Sequence, residues 1–312
     1  MKYKNWDDFK VYVSGISRIV SHPKGVKDLT KTEVKKRDYL LGQTDLSDEE
    51  VGLLAFLNKK RETYLHPPLA ITAQSYLVER YSADKYNIRR ASAGELQKST
   101  VTKGVALEKE GIELLKFLDK IDYQQPDKPI SNEYMIGQCD ILCMDSKKIV
   151  DVKTSWNAAN FMQKRREGRI SSQHWCQIQG YMELYNIDLG QVSYVLVNTP
   201  PHLIDQEKAN LFRRYTFGEL IREDYEEQME KFDSLFDYSK IPMHKRVIRF
   251  DVPRCREFMP MVKRKVGLCR EFLNEFERSF LSGKNIITLP ESYITIVPPE
   301  EDSLECNPGE PL

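Results

Sequence analysis

Asp140 precedes the triplet Asp151-Val152-Lys153, and the turn-forming run Asp145-Ser146-Lys147-Lys148 separates them. Ile141 to Met144 reads as a strand and Ile149 to Thr154 as a second, so the segment predicts a hairpin. Side chains alternate along a strand. Asp151 and Lys153 therefore leave one face together, while Val150 and Val152 point to the other, toward a core. If the turn sets Asp140 opposite Asp151, two carboxylates meet at one point, which is costly unless a divalent cation lies between them. Lys153 then stands at the edge of a metal site. Hard carboxylate oxygens suit Mg²⁺ or Mn²⁺ better than zinc. Such an ion acidifies a water and polarises phosphoryl oxygens, and a second one about 4 Å away clamps both the attacking and the leaving oxygen. The chemistry this combination serves is phosphodiester hydrolysis.

An acid, a strand-length gap and then acid-x-Lys resembles the signature of the PD-(D/E)xK nuclease superfamily. Upstream, Lys103-Gly104-Val105-Ala106-Leu107-Glu108 is similar to the Gly-x-x-x-acid element that opens the first core helix of lambda-exonuclease-like members. Downstream, Gln177-Ile178-Gln179-Gly180-Tyr181 matches the Q-x-x-x-Y motif of the RecB-like and lambda-exonuclease-like branch. The three motifs stand in the family's order, and the resemblance runs from Gly104 to Asn198.

It implies an α/β (α+β) restriction-endonuclease-like fold: an αβββαβ core with a central mixed sheet flanked by helices, and helical additions at both ends. It also implies that Glu108, Asp140, Asp151 and the backbone carbonyl of Val152 hold metal, as two Mg²⁺ or Mn²⁺ ions. Lys153 becomes the catalytic lysine, and Gln177 and Tyr181 border the scissile phosphate. Glu108 stands where many RecB-like members carry histidine, which places the chain nearer the lambda-exonuclease pattern. Some relatives bind an iron–sulfur cluster on four cysteines; the spacing of Cys255, Cys269 and Cys306 does not reproduce that pattern, so no cluster is expected. The activity implied is a DNA exonuclease of recombination or repair, of phage or bacterial type. DNA is the expected partner, with a ring-shaped homo-oligomer and a single-strand annealing or recombination protein as further ones. An endonuclease on the same core stays open. So do a nucleic-acid-binding or virion-associated protein without catalysis, and an unrelated interaction protein whose D-x-K hairpin binds no metal.

The 312 residues are enough for a full core, and no apolar run approaches membrane-spanning length. The start, Met1 to Trp6, lacks the apolar stretch of a secretory signal, so the expected location is cytoplasmic, in the host if phage-encoded. Six cysteines fit reduced, buried thiols, with Cys139 and Cys143 facing away from Asp140. Lys+Arg and Asp+Glu both number 47, for a net charge of zero, which argues against a protein that holds nucleic acid by bulk charge alone. A local patch suffices for a nuclease. Lys164, Arg165, Arg166 and Arg169 follow the hairpin, and His174 shares a helix face with Gln177 and Tyr181, so all five are candidates for contact with nucleic acid. A solvated loop is the bland alternative for the basic run. Lys245-Arg246 with Arg249, and Lys263-Arg264-Lys265, are assigned to solvent-facing surface.

The remaining elements must position these residues. Helical spacing covers Trp6 to Tyr12, Ser47 to Arg61 with a capped start, and Thr72 to Tyr81. Val105 to Asp119 carries an apolar stripe of Leu107, Leu114, Leu115 and Leu118 and places Glu108 in its first turns, where Glu110 and Glu113 compete for the same role. Asn132 to Ile136 reads as a strand ended by Gly137, Ser171 to Tyr185 as a helix and Val192 to Asn198 as a strand. Helix is expected from Gln206 to Phe236, a strand at Val247 to Val252 and a long helix from Pro253 to Phe280. The expected organisation is an N-terminal helical segment (1–103), the core (104–200), a helical extension (201–297) and an acidic, Pro-containing, disordered tail (298–312).

Overall fold

The computed structural model describes residues 5–88, 107–155, 157–219 and 221–283. The Gly104 element and the tail from Pro298 therefore lie outside the described residues. Two compact units divide the chain, residues 1–274 and 275–312.

The hairpin forms as the side-chain alternation requires. Strand β4 (Ile141–Cys143) pairs antiparallel with β5 (Lys148–Thr154), and Ile141 lies opposite Val150. Lys147 closes the turn in the left-handed region at φ 46°. A parallel partner, β6 (Leu189–Val195), runs beside the whole of β5, and β7 (Val247–Pro253) closes the mixed sheet antiparallel to β6. The sixth strand thus starts and ends three residues earlier than its apolar run predicts, because its limits are set by the length of β5 beside it. Val195 to Val197 remain buried past that point.

A helix covers each face of this sheet. On one lies α5 (Glu108–Asp119), whose Ile112 and Leu115 pack with Val150, Val152, Val195, Ile141 and Tyr123 in one buried cluster. Helix and strands meet at Gly111: a Cβ there would stand 2.8 Å from Val195 and 3.2 Å from Val152. The rest of that face is polar. Gln191 bonds Asp251, Ser193 bonds Gln191, and Arg249 pairs with Asp119 of α5. On the opposite face lies the helix Ser172–Tyr185, whose Ile178 occupies the space a side chain at Gly190 would need. Ser171 caps it, accepting from the His174 amide.

The region before the core departs from the sequence reading. Trp6 to Tyr12 is not a helix: Trp6–Asp8 makes one 3-10 turn, and β1 (Val11–Tyr12) pairs parallel with β3 (Met135–Gly137). The β-branched and aromatic run Val11-Tyr12-Val13 favours that pairing. The strand expected at Asn132 to Ile136 resolves into β2 (Ile130–Ser131) and β3, whose hairpin belongs with β1 to a second, three-stranded sheet. Helices α1 (Ile16–Ile19), α2 (Lys31–Leu41), α3 (Asp48–Leu65) and α4 (Ile71–Tyr86) precede the core. Capping boxes at Thr30 and Ser47 start α2 and α3; the sequence reading included the second and overlooked α2. Gly180 lets the helix after Ser171 approach Val13 and Ile16, since a Cβ there would stand 2.6 Å from Ile16.

Between β5 and the helix after Ser171 stands α6 (Ala158–Glu167), and that following helix is α7. Beyond β6 the single helix expected from Gln206 is two, α8 (Pro201–Thr216) and α9 (Arg222–Lys231), separated around Gly218 at φ 73°. This excursion has its own small core of Leu211, Phe232 and Phe236. Helix α10 (Phe258–Leu281) begins later than Pro253, which belongs to β7.

Lys263-Arg264-Lys265 is not solvent surface. Lys263 pairs with Glu183, and Arg264 donates to the Leu65 carbonyl. Lys265 is fully buried and donates to the carbonyls of Pro67 and Pro68, each at 2.8 Å. Burial pushes its pKa down, the Arg264 charge adds to the fall, and Cys269 opposes it. Replacing Lys265 with Met removes the charge but strands two carbonyls, so a net loss of about 2 kcal/mol is expected in denaturant melts. An unchanged midpoint would deny the strut role.

Candidate active site

The register of β4 and β5 sets Asp140, the residue before β4, next to Asp151. β4 ends there, so Val152 has no ladder partner on that edge. Its amide donates instead to Asp140 Oδ2 at 2.6 Å. The N–H and C=O of one strand residue leave on the same edge, so the Val152 carbonyl is directed toward Asp140 as well. Asp151 is fully buried; Lys153 Nζ donates to its Oδ1 at 2.9 Å, while Oδ2 has no hydrogen-bond partner. A buried carboxylate oxygen without a donor is unfavourable unless something else comes to it.

The third acid arrives on α5. Close packing at Gly111 brings the first turn of that helix over the strands, and Glu108 is half-buried there, while Glu110 and Glu113 are exposed. Of the three, Glu108 is the one whose carboxyl feels the charges of Asp140 and Lys153. Burial raises the pKa of Glu108, the Asp140 charge adds to the rise and Lys153 opposes it. Asp140 and Asp151 are raised chiefly by burial, and in Asp151 the Asp140 charge contributes further. Burial works against the Lys153 ammonium, but Asp151, Asp140 and Glu108 outweigh it and hold its pKa up.

Among the described residues no group of three or more His, Cys, Asp or Glu side chains encloses a metal site. Lys153 and the Val152 amide take oxygens that a closed cage would use. The donor set nevertheless fits a hard cation: adjacent carboxylates that resist joint ionisation, an unpartnered Asp151 oxygen and the Val152 carbonyl on the same strand edge as Asp140. The described cysteines, Cys139, Cys143, Cys176, Cys255 and Cys269, are free thiols.

On α7, Gln177 and Tyr181 are buried and bonded to each other, Gln177 Nε2 donating to the Tyr181 hydroxyl at 3.1 Å. Burial raises the Tyr181 pKa, helped by the charges of Asp151 and Asp140. The motif therefore meets the acids. Beside them Tyr181 lines a cavity of about 300 Å³ with Tyr12, Ser14, Gly137 and Gln138.

The basic run is helical, not a loop: Lys164, Arg165 and Arg166 form the last turn of α6, with Arg169 just beyond its left-handed cap Gly168. Arg165, Arg166 and Arg169 are exposed. Lys164 differs, paired with Glu167 at 2.8 Å and lying 5.6 Å from the ring centre of Tyr194. His174 Nδ1 is 2.7 Å from the Tyr194 hydroxyl. Sequence reasoning missed Tyr194 and Gly111. Tyr194 looked like one more residue of an apolar strand, and only the β5–β6 register sets it beside Lys153.

A mixed sheet with an acid-bearing helix on one face and a Gln/Tyr-bearing helix on the other is a restriction-endonuclease-like fold. Solved structures that share it include a phage-related exonuclease from Haemophilus somnus 129PT, at TM-score 0.56 and 19% identity over 88% of this chain and 97% of that one. An alkaline exonuclease (LHK-Exo) from Laribacter hongkongensis is similar at TM-score 0.50 and 11% identity, over 89% and 95%. No protein-family model and no curated protein matches the sequence. Among the described residues no helix is long and apolar enough to cross a membrane.

Proposed function

We propose that the chain is a metal-dependent deoxyribonuclease, an exonuclease of the phage or bacterial recombination and repair type. The observation that carries this reading is the pairing of Asp151 with Asp140 at the open end of β4, with one Asp151 oxygen on Lys153 and the other unpartnered. Its chemistry agrees with the exonuclease activity named for both fold neighbours.

Glu108, Asp140, Asp151 and the Val152 carbonyl would hold Mg²⁺ or Mn²⁺. The chemistry such ions supply when bound is acidification of a water and neutralisation of phosphoryl oxygens. Lys153 adds a fixed positive charge where the phosphate gains negative charge, and its ion pair with Asp151 keeps the ammonium oriented. Tyr181, held by Gln177, presents a hydroxyl beside the acids. Protonated Asp140 or Asp151 would be a poor ligand, so their raised pKa values predict activity that climbs with pH as the pair ionises.

The deciding experiment incubates end-labelled linear DNA and closed circular DNA with Mg²⁺, Mn²⁺ or EDTA. Release of mononucleotides from linear DNA alone, abolished by EDTA, is expected. Cutting of the closed circle indicates an endonuclease on the same core, and absence of cleavage in both metals overturns the reading. Gln177→Ala and Tyr181→Phe remove hydrogen-bonding atoms and little apolar area. Each is expected to slow turnover roughly tenfold, about 1.4 kcal/mol, with little change in melting temperature. Wild-type rates in both would make the Q-x-x-x-Y match coincidental.

A further inference from the structure

We propose that Tyr194 is a positioning residue that fixes the His174 tautomer so that Nε2–H donates to a DNA phosphodiester neighbouring the cleaved one, alongside Lys164. This rests on the nuclease reading above and extends its substrate contact beyond the acids and Lys153.

Tyr194 pairs with Lys153 in the parallel β5–β6 register, so both side chains leave the sheet on the α7 face. Its ring cannot swing freely. It meets Phe250 of β7 edge-on, at 5.9 Å and 90°, Lys164 Nζ lies 5.6 Å from its centre, and the residue is 5% exposed. The hydroxyl is thereby aimed at the first turn of α7. There the Ser171 cap holds the His174 backbone, and His174 Nδ1 is 2.7 Å from the hydroxyl.

Burial and the charges of Lys153 and Lys164 push the His174 pKa down to about 4, so the ring is neutral at physiological pH. A neutral imidazole whose Nδ1 accepts the tyrosine proton carries its own proton on Nε2. Among the described residues no hydrogen bond reaches that Nε2, and His174 is only half-buried. A donor of fixed direction, near two ammonium groups and next to the acids, suits an anionic oxygen. A phosphodiester of the bound strand is the anion a nuclease brings there.

Two measurements on the full chain test this. Nitrogen-15 NMR of the imidazole should show an Nε2–H tautomer in the wild type and a mixture in Tyr194→Phe. Fluorescence anisotropy with duplex DNA in EDTA should show affinity weakened about three- to tenfold by Tyr194→Phe and by His174→Ala, the worth of one hydrogen bond. His174→Gln places an amide N–H where Nε2 stood, so it should recover much of the affinity and make binding indifferent to Tyr194→Phe. Wild-type affinity in His174→Ala, or an Nδ1–H tautomer in the wild type, overturns the proposal. If the wild type cuts DNA with Mg²⁺ while these variants bind as it does, this inference fails alone. A wild type that neither binds nor cuts DNA overturns the nuclease reading with it.

Discussion

Asp151→Asn is expected to abolish cleavage and, in EDTA, to raise the melting temperature at neutral and alkaline pH. The loss of rate should be at least about a thousandfold, roughly 4 kcal/mol of transition-state stabilisation, because the substitution removes a ligand charge at the centre of the site. The gain in stability has a definite pH dependence. Burial, with Asp140 adding to it, raises the folded-state pKa of Asp151 above its ordinary 3.8. The unfolded chain then releases its proton first as pH rises, and folding loses stability from near 3.8 up through the raised value. Below that window both states are protonated, and the variant gains little. Melting curves from pH 4 to 8 should therefore separate progressively, with Asp151→Asn above wild type at the alkaline end. A variant that melts lower at pH 8 would show that the Lys153 pair outweighs the burial cost and that Asp151 is structural. Cleavage at the wild-type rate would remove Asp151 from the site.

Lys153→Met is expected to lose about a hundredfold or more in rate while still binding Mn²⁺, since its charge acts on the phosphate and its nitrogen is not a ligand. Its effect on metal-free stability should be opposite to that of Asp151→Asn. The variant leaves Asp151, fully buried, facing Asp140 without the ammonium that offsets both, so the metal-free protein should melt lower. Added Mn²⁺ should restore more of the melting temperature in this variant than in the wild type, because the cation takes over the compensation. Calorimetry that finds no Mn²⁺ binding to a folded Lys153→Met protein would make Lys153 a part of the metal site itself.

The hairpin and its alternation were legible because they depend on neighbours in the chain. Turn residues at Asp145 to Lys148, apolar Val150 and Val152, and polar Asp151 and Lys153 between them specify two faces whatever surrounds them. The capped start of α3 and the amphipathic α5 were readable for the same reason. What failed was of another kind. Trp6 to Tyr12 has apolar residues at helical spacing, yet β3, far along the chain, supplies an edge that Val11 and Tyr12 join instead. Lys265 sits in a run of basic residues that reads as surface, and is buried because the Pro67 and Pro68 carbonyls lie where it points.

By itself the sequence determined which residue types are present and how they alternate locally: two acids and a lysine on a hairpin, a glutamate at a helix start, and Gln177 and Tyr181 on one helix face. Only the tertiary structure decided which of them meet. The half-burial of Glu108, where Glu110 and Glu113 are exposed, goes with the close approach of α5 at Gly111, and the setting of Tyr194 beside Lys153 follows from the β5–β6 register. The Val152 amide reaches the Asp140 side chain because β4 extends no further than Ile141 at that end. Local pattern selects a face of an element at short range, whereas register, burial and charge coupling are properties of elements brought together from distant parts of the chain, and no residue's own neighbours specify them.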